Sequence, residues 1–115
     1  MITESNWLNE LTAAIMVCDA SGNIIYMNDR SSMVFENDGG RDLIGNNLFD
    51  CHTGLSAEKL PELLQNKKAN VYTIEKNDAK KMIYQSPWYT DGKFMGLVEI
   101  SFEIPTEMPH FIRKA

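Results

Sequence analysis

The spacing of apolar residues changes period along the chain. Trp7, Leu8, Leu11 and Ile15 recur at helical spacing, which predicts a short amphipathic helix over about residues 5–12 with Asn6, Asn9 and Glu10 on its polar face. Trp7 is a large apolar residue for a helix outside the main domain, so it must cover a sheet or meet a partner chain. Residues 14–19, Ala-Ile-Met-Val-Cys-Asp, form an apolar run that reads as a strand. Ala20-Ser21-Gly22-Asn23 is a turn, and residues 23–28 are a second β-prone run, so the two runs make a hairpin. Asn28 and Asp29 then offer caps for a short helix through Met33, Val34 and Phe35. Gly39-Gly40 ends that helix, and Arg41-Asp42-Leu43-Ile44-Gly45 is one further turn closed by glycine.

Ser56 is a good N-cap for a longer helix, with Leu55 and Leu60 placed as a hydrophobic staple and Lys67-Lys68 at the last turn. Pro61 conflicts with that reading, because it removes one backbone hydrogen bond; the helix is either kinked there or effectively starts there. The last third is β. Residues 70–76 alternate, Asn77-Asp78 is a turn, and residues 80–89 form a long strand in which Pro87 predicts a bulge or an exposed edge. Thr90-Asp91-Gly92-Lys93 is a hairpin signal. Residues 94–104 are the clearest strand, with Gly96, Val98, Ile100, Phe102 and Ile104 on one face and Met95, Leu97, Glu99, Ser101 and Glu103 on the other. Pro105 stops it. Two strands, short helices and three strands in that order make an antiparallel sheet with helices on one face, an α+β architecture.

Composition narrows the function. The 115 residues suit one domain and leave no room for separate cofactor and substrate domains. A net charge of −5 disfavours nucleic acid and anionic membranes, which are bound by clustered Lys and Arg; Lys67-Lys68 and Lys80-Lys81 are only short basic pairs. Cys18 and Cys51 make neither a disulfide framework nor metal-finger spacing. The N-terminus lacks the basic and apolar regions of a signal peptide, and no apolar run approaches the ~20 residues of a membrane span, so a reducing cytoplasm is expected.

Four pieces together resemble a PAS domain, the sensory module of many bacterial signalling proteins, from about Trp7 to Ile104. Residues 15–28, Ile-Met-Val-Cys-Asp-Ala-Ser-Gly-Asn-Ile-Ile-Tyr-Met-Asn, look like the family's opening hairpin, which ends in Asn before a short helix. Arg41-Asp42-Leu43-Ile44-Gly45 is similar to its "LIG" loop, and residues 90–100 are similar to its closing hairpin. The order of elements is the fourth piece. The resemblance implies a PAS-like five-stranded antiparallel sheet of order 2-1-5-4-3, with short helices on one face enclosing a pocket. It divides the chain into an N-terminal helix over residues 1–12, a PAS-like domain over 13–104 and an extended tail over 105–115. It also implies a homodimer contact through the N-terminal helix, carried by Trp7, Leu8 and Leu11, and through the sheet.

The pocket face would draw on Tyr26, Asn28, Met33, Phe35, Leu48, Phe49, Tyr72, Tyr84, Val98 and Ile100. A ligand site is mostly apolar with a few convergent polar groups, and Asn28, Tyr26, Tyr72 and Tyr84 are the polar tips available. The competing reading is that these residues pack the core and that Asn28 caps the helix after it. No cofactor is assigned. The run after Gly45, Asn46-Asn47-Leu48-Phe49-Asp50-Cys51, puts Leu48 near the position of the reactive cysteine of photoactive flavin relatives and lacks their Arg and Gln, and residues 56–68 contain no axial His for haem. No phosphate-cradling glycine motif is present.

Asp50-Cys51-His52 is the one group that looks chemical. A thiol nucleophile needs an imidazole in reach, and adjacent residues of an extended chain point apart. A metal site needs further ligands, and the other histidine is His110 in the tail. A redox-sensing thiol would be exposed with a lowered pKa. The pair is similar to a Cys-His-Pro found in some PAS-like domains, with Thr53 in place of the proline. A thiol switch or small thiol enzyme using Cys51 and His52 therefore stands as the alternative, and a ligand-free structural dimerisation module as a third reading. The leading expectation is a non-enzymatic sensory module that binds a small molecule or relays a signal to a partner protein. The tail carries no catalytic output domain, so the chain is expected to act through contacts or as a segment of something longer.

Overall fold

A computed structural model of the chain describes residues 6–48 and 60–115. Helix α1 spans Asn6–Asn9, strands β1 and β2 span Ala14–Asp19 and Ile24–Met27, and helix α2 spans Asp29–Val34. Two single-turn 3-10 helices follow at Glu36–Asp38 and Gly40–Leu43. Helix α3 spans Leu60–Asn66, and strands β3, β4 and β5 span Asn70–Lys76, Ala79–Thr90 and Lys93–Ile104. The five strands form one antiparallel sheet in the order β2-β1-β5-β4-β3, the order the resemblance implies.

The turns follow from their residues. Asn77 and Asp78 both take positive φ, as do Asp91 and Gly92, which is the backbone a two-residue hairpin turn needs to match strand twist. The exposed edge of β2 is covered by the loop after the second 3-10 helix. Gly45 N–H donates to the Ile24 carbonyl at 2.8 Å, and Ile24 N–H donates to the Asn46 carbonyl at 2.9 Å. That pairing removes the free ladder of an edge strand. Arg41 ties the same loop back to the junction of β2 and α2, donating to the Met27 carbonyl and pairing with the Asp29 carboxylate.

Asn28 joins three elements and spends its whole side chain doing so. Its Oδ1 accepts from Ile15 N–H at 2.9 Å, at the start of β1, and from Ser31 N–H at 3.0 Å, as the N-cap of α2. Its Nδ2 donates to the Leu8 and Ala13 carbonyls, each at 2.9 Å. This explains why the helix predicted over residues 5–12 is a single turn. The Leu8 carbonyl is taken by Asn28 and by Leu11 N–H, so Leu11 lies beyond α1 instead of within it.

Between the sheet and the helices lies a core of Met16, Cys18, Ile24, Met27, Leu43, Leu48, Leu63 and Leu97, with Phe35 and Leu64 packed against it. Pro61 stands at the second position of α3. The Ser56 cap lies outside the described residues. Pro87 sits where β4 has run past β3, whose pairing ends at Asn70 opposite Gln85, and a bulge follows between Trp88 and Tyr89. Both features that proline predicted are therefore present.

Replacing Asn28 with Ala leaves the buried Ile15 and Ser31 N–H groups and the Ala13 carbonyl without their partner, while the Leu8 carbonyl keeps only Leu11 N–H, and should cost about 3–4 kcal/mol of stability. Denaturant unfolding of the variant checks this; a loss within experimental error of zero would mean that the asparagine does not hold the junction.

Candidate functional site

Cross-strand register decides which residues share the inner face, the one that carries the core. One row of directly opposed residues crosses all five strands on that face: Asn70 on β3, Gln85 on β4, Glu99 on β5, Met16 on β1 and Met27 on β2. The β1–β2 half of this row is apolar and belongs to the core. The other half is a chain of side-chain hydrogen bonds. Asn70 Nδ2 donates to Gln85 Oε1 at 2.9 Å, and Gln85 Nε2 donates to Glu99 Oε1 at 2.8 Å. Gln85 Nε2 also lies 3.5 Å from the Tyr72 hydroxyl, at the limit of a hydrogen bond.

Glu99 is the unusual member. It is only 7% exposed, and burial pushes its carboxyl above the ordinary range, with the Gln85 hydrogen bond opposing that rise. Burial also raises the Cys18 thiol and the Tyr72 phenol, and the Glu99 charge adds to both. A cavity of about 170 Å³ between α3 and the start of β3 reaches Asn70, the outer end of the polar chain. A second, larger cavity of about 450 Å³ lies where α2 faces the ends of β1, β4 and β5, and Met33 is on its wall.

The residues expected to line a pocket divide between the two faces. Leu48 is fully buried in the core and Phe35 packs on it. Tyr72 is on the inner face, beside Gln85, and Met33 is exposed along α2. Asn28 is inside, but its four hydrogen bonds leave it no capacity for a ligand, so it serves as the cap and junction described above. Tyr84, Val98 and Ile100 are placed on the outer face instead, opposed to Val71, Val17 and Ile15. Tyr26 is also outside, opposite Val17, with its hydroxyl donating to Asn9 of α1 at 2.7 Å. The reason is that the continuous apolar face of β5 is not the one that carries the core. Phe49, Cys51 and His52 lie outside the described residues. Among the described residues, no group of three or more His, Cys, Asp or Glu side chains could hold a metal, and no helix is long and apolar enough to cross a membrane.

Gln85 and Glu99 escape a reading by alternation, which assigns Glu99 to a solvent face. Counting back from the two-residue turn opposes Gln85 to Val98. The bulge between Trp88 and Tyr89 shifts the pairing by one and brings Gln85 opposite Glu99. Pro87 was the only hint of that shift.

The backbone is shared with solved sensor domains. The PAS domain of histidine kinase ThkA superposes with a TM-score of 0.63 at 16% identity, over 80% of this chain and 99% of that one. The chain has the PAS fold. Two further PAS domains agree: one from Colwellia psychrerythraea (TM-score 0.59, 20% identity, 84% and 89% of the two chains) and that of nitrogen regulation protein NR(II) from Vibrio parahaemolyticus (0.58, 18%, 90% and 100%). No protein-family model and no curated protein matches the sequence. Within the PAS fold, the Asn70–Gln85–Glu99 chain lies on the inner face of the three strands β3, β4 and β5.

A carboxyl whose pKa is raised by folding holds its proton in the folded state at pH values where the unfolded chain has lost it. Its contribution is therefore fully present below the unfolded value of about 4.3 and is lost as pH rises through the folded value. Glu99→Gln keeps the Gln85 hydrogen bond and removes that loss. The variant should melt higher than the parent near pH 7, by a few degrees, and the difference should vanish below about pH 4. Thermal unfolding across pH checks this; a variant less stable than the parent at neutral pH would contradict a buried, uncompensated carboxylate.

Proposed function

We propose that the chain is a sensory PAS module that binds a small molecule against the inner face of its sheet, and that it acts by binding and not by catalysis. The observation that carries this reading is the Asn70–Gln85–Glu99 chain. A buried polar network costs stability unless it is fully satisfied, and an apolar row of the same shape would pack at no such cost. Retaining it on the face that carries the core is what a site for a partly polar ligand requires. Two of the structural neighbours, from a histidine kinase and a nitrogen regulation protein, are themselves PAS domains of signalling proteins.

The same reading assigns the outer face to a second copy of the chain. Val71, Tyr84, Ile100 and Ile15 form one opposed apolar row across β3, β4, β5 and β1. Val71 and Tyr84 are exposed on it, Phe102 is exposed further along the same face of β5, and Trp7 of α1 is 55% exposed. Exposed apolar residues in a continuous row mark a surface for association. A cytoplasmic homodimer held by this row and Trp7, with Leu8 and Leu11 half-buried behind it, accounts for those residues.

Native mass spectrometry of the intact chain tests ligand binding, and light scattering tests assembly. The expected results are a small-molecule adduct at one per chain, and a dimer mass that Tyr84→Lys converts to monomer. A chain that carries no adduct and gains no thermal stability from any member of a metabolite panel would overturn the sensing reading. A monomer at all accessible concentrations would overturn the homodimer.

A further inference from the structure

The sheet has two edges, and the chain closes one of them with its own backbone. The loop after the second 3-10 helix pairs with β2 through Gly45 and Asn46. β3, at the other edge, pairs with β4, and among the described residues no backbone group of β3 bonds elsewhere. Val71 to Lys76 are all exposed, and apolar side chains are exposed on both faces of the strand: Val71 on the outer, Tyr72 and Ile74 on the inner. The turn fixes which backbone groups point outward. Asn77 and Asp78 form a two-residue turn, so Lys76 and Ala79 on either side of it bond to each other. Bonded and non-bonded pairs alternate along an antiparallel ladder, which turns the N–H and C=O groups of Val71, Thr73 and Glu75 away from β4. An edge of this kind is a template for another strand.

The chain also holds a segment suited to be that strand. Residues 105–115 lie in no helix or strand, and every one of them is exposed. Met108, Phe111 and Ile112 are large apolar side chains within it, and Ile112 is 88% exposed. Pro109 has no N–H, and proline is tolerated in a strand where that side faces away from the ladder. Met108, His110 and Ile112 are then the residues that bond to the edge. Running antiparallel, Ile112 opposes Val71, His110 opposes Thr73 and Met108 opposes Glu75. The intervening pairs, whose side chains come closest, are Phe111 with Tyr72, Pro109 with Ile74 and Glu107 with Lys76. The first is an aromatic pair and the last an opposite-charge pair, both stabilising across strands. Ile112 beside Val71 also lengthens the apolar row of the outer face.

The segment cannot reach this position in its own chain. β5 lies two strands in from the β3 edge, so an added strand lies three spacings from β5, about 14 Å at ~4.8 Å each. The chain from Ile104 to Glu107 spans at most ~11 Å. We propose that residues 107–112 of one copy add as a further strand to the β3 edge of a second copy. The proposal rests on the homodimer reading given above and supplies that dimer with a second contact beside the outer row. Each copy offers one edge and one segment, so the exchange is reciprocal and closes under a twofold axis.

The test is amide hydrogen exchange of the isotope-labelled full chain, followed by NMR below and above the concentration at which light scattering shows the dimer. The Tyr72 and Ile74 amides face β4 and should be protected at both. The Val71, Thr73 and Glu75 amides should exchange freely in the dilute chain and slow by at least about tenfold in the dimer. Ile112→Asp, at an exposed position outside every helix and strand, should return those three amides to free exchange and weaken the dimer about tenfold, with the outer row still holding it. A synthetic peptide of residues 105–115 added to that variant should restore the protection. A dimer in which the three amides stay unprotected, or in which Ile112→Asp leaves them protected, would overturn the strand exchange and leave the homodimer standing, as would a peptide that protects none of them. A chain that is monomeric at all accessible concentrations would overturn both.

Discussion

The close approach of β5 to β1 at Gly96 sets the register on which everything else depends. Gly96 has φ of 148°, and a Cβ there would overlap the Cys18 carbonyl oxygen and lie 2.8 Å from Asp19 Cα. Only glycine allows the two strands to meet in this way. Directly opposite Gly96, on β4, stands Trp88, whose indole N–H donates to that same Cys18 carbonyl at 3.0 Å across β5. The bulge follows at the next residue. Glycine, indole and bulge thus form one device that fixes β1, β5 and β4 relative to each other, and the pairing it imposes puts Gln85 beside Glu99.

From that register the two faces of the sheet acquire different roles. The outer row of Val71, Tyr84, Ile100 and Ile15 is apolar from end to end, yet much of it stays exposed. The inner row is polar over three strands and apolar over two. Its carboxyl is buried and accepts from Gln85, and that polar chain is what the functional reading rests on. Asn28 has a different role. All of its hydrogen-bonding capacity is used, so it stabilises the junction of α1, β1 and α2 and leaves nothing over for a ligand.

The order and bounds of the strands were legible because they depend on local signals. β1 and β3 begin and end where the apolar runs and turn residues place them, and Asn77-Asp78 and Asp91-Gly92 dictate their own hairpins. Asn28 as a cap was legible for the same reason. The face of β5 was not. Alternation shows that two faces differ, but the more apolar one is the natural choice for the core, and here the core is built on Leu97 beside Glu99. Which face the helices cover is decided by contacts between residues far apart in sequence, and the one-residue shift at the bulge is tertiary information too. The N-terminal helix was overestimated because the residue that stops it, Asn28, acts from twenty positions away.

The most direct test of the account is the pH titration of the Glu99 carboxyl carbon by NMR in the whole protein. A carboxyl buried beside the Gln85 amide titrates with a midpoint above the ordinary carboxyl range of about 4.3, and Cys18 and Tyr72, which feel its charge, shift in step. A midpoint at or below the ordinary value, with no response at those neighbours, would mean that Glu99 is solvated or already paired, and would contradict the site.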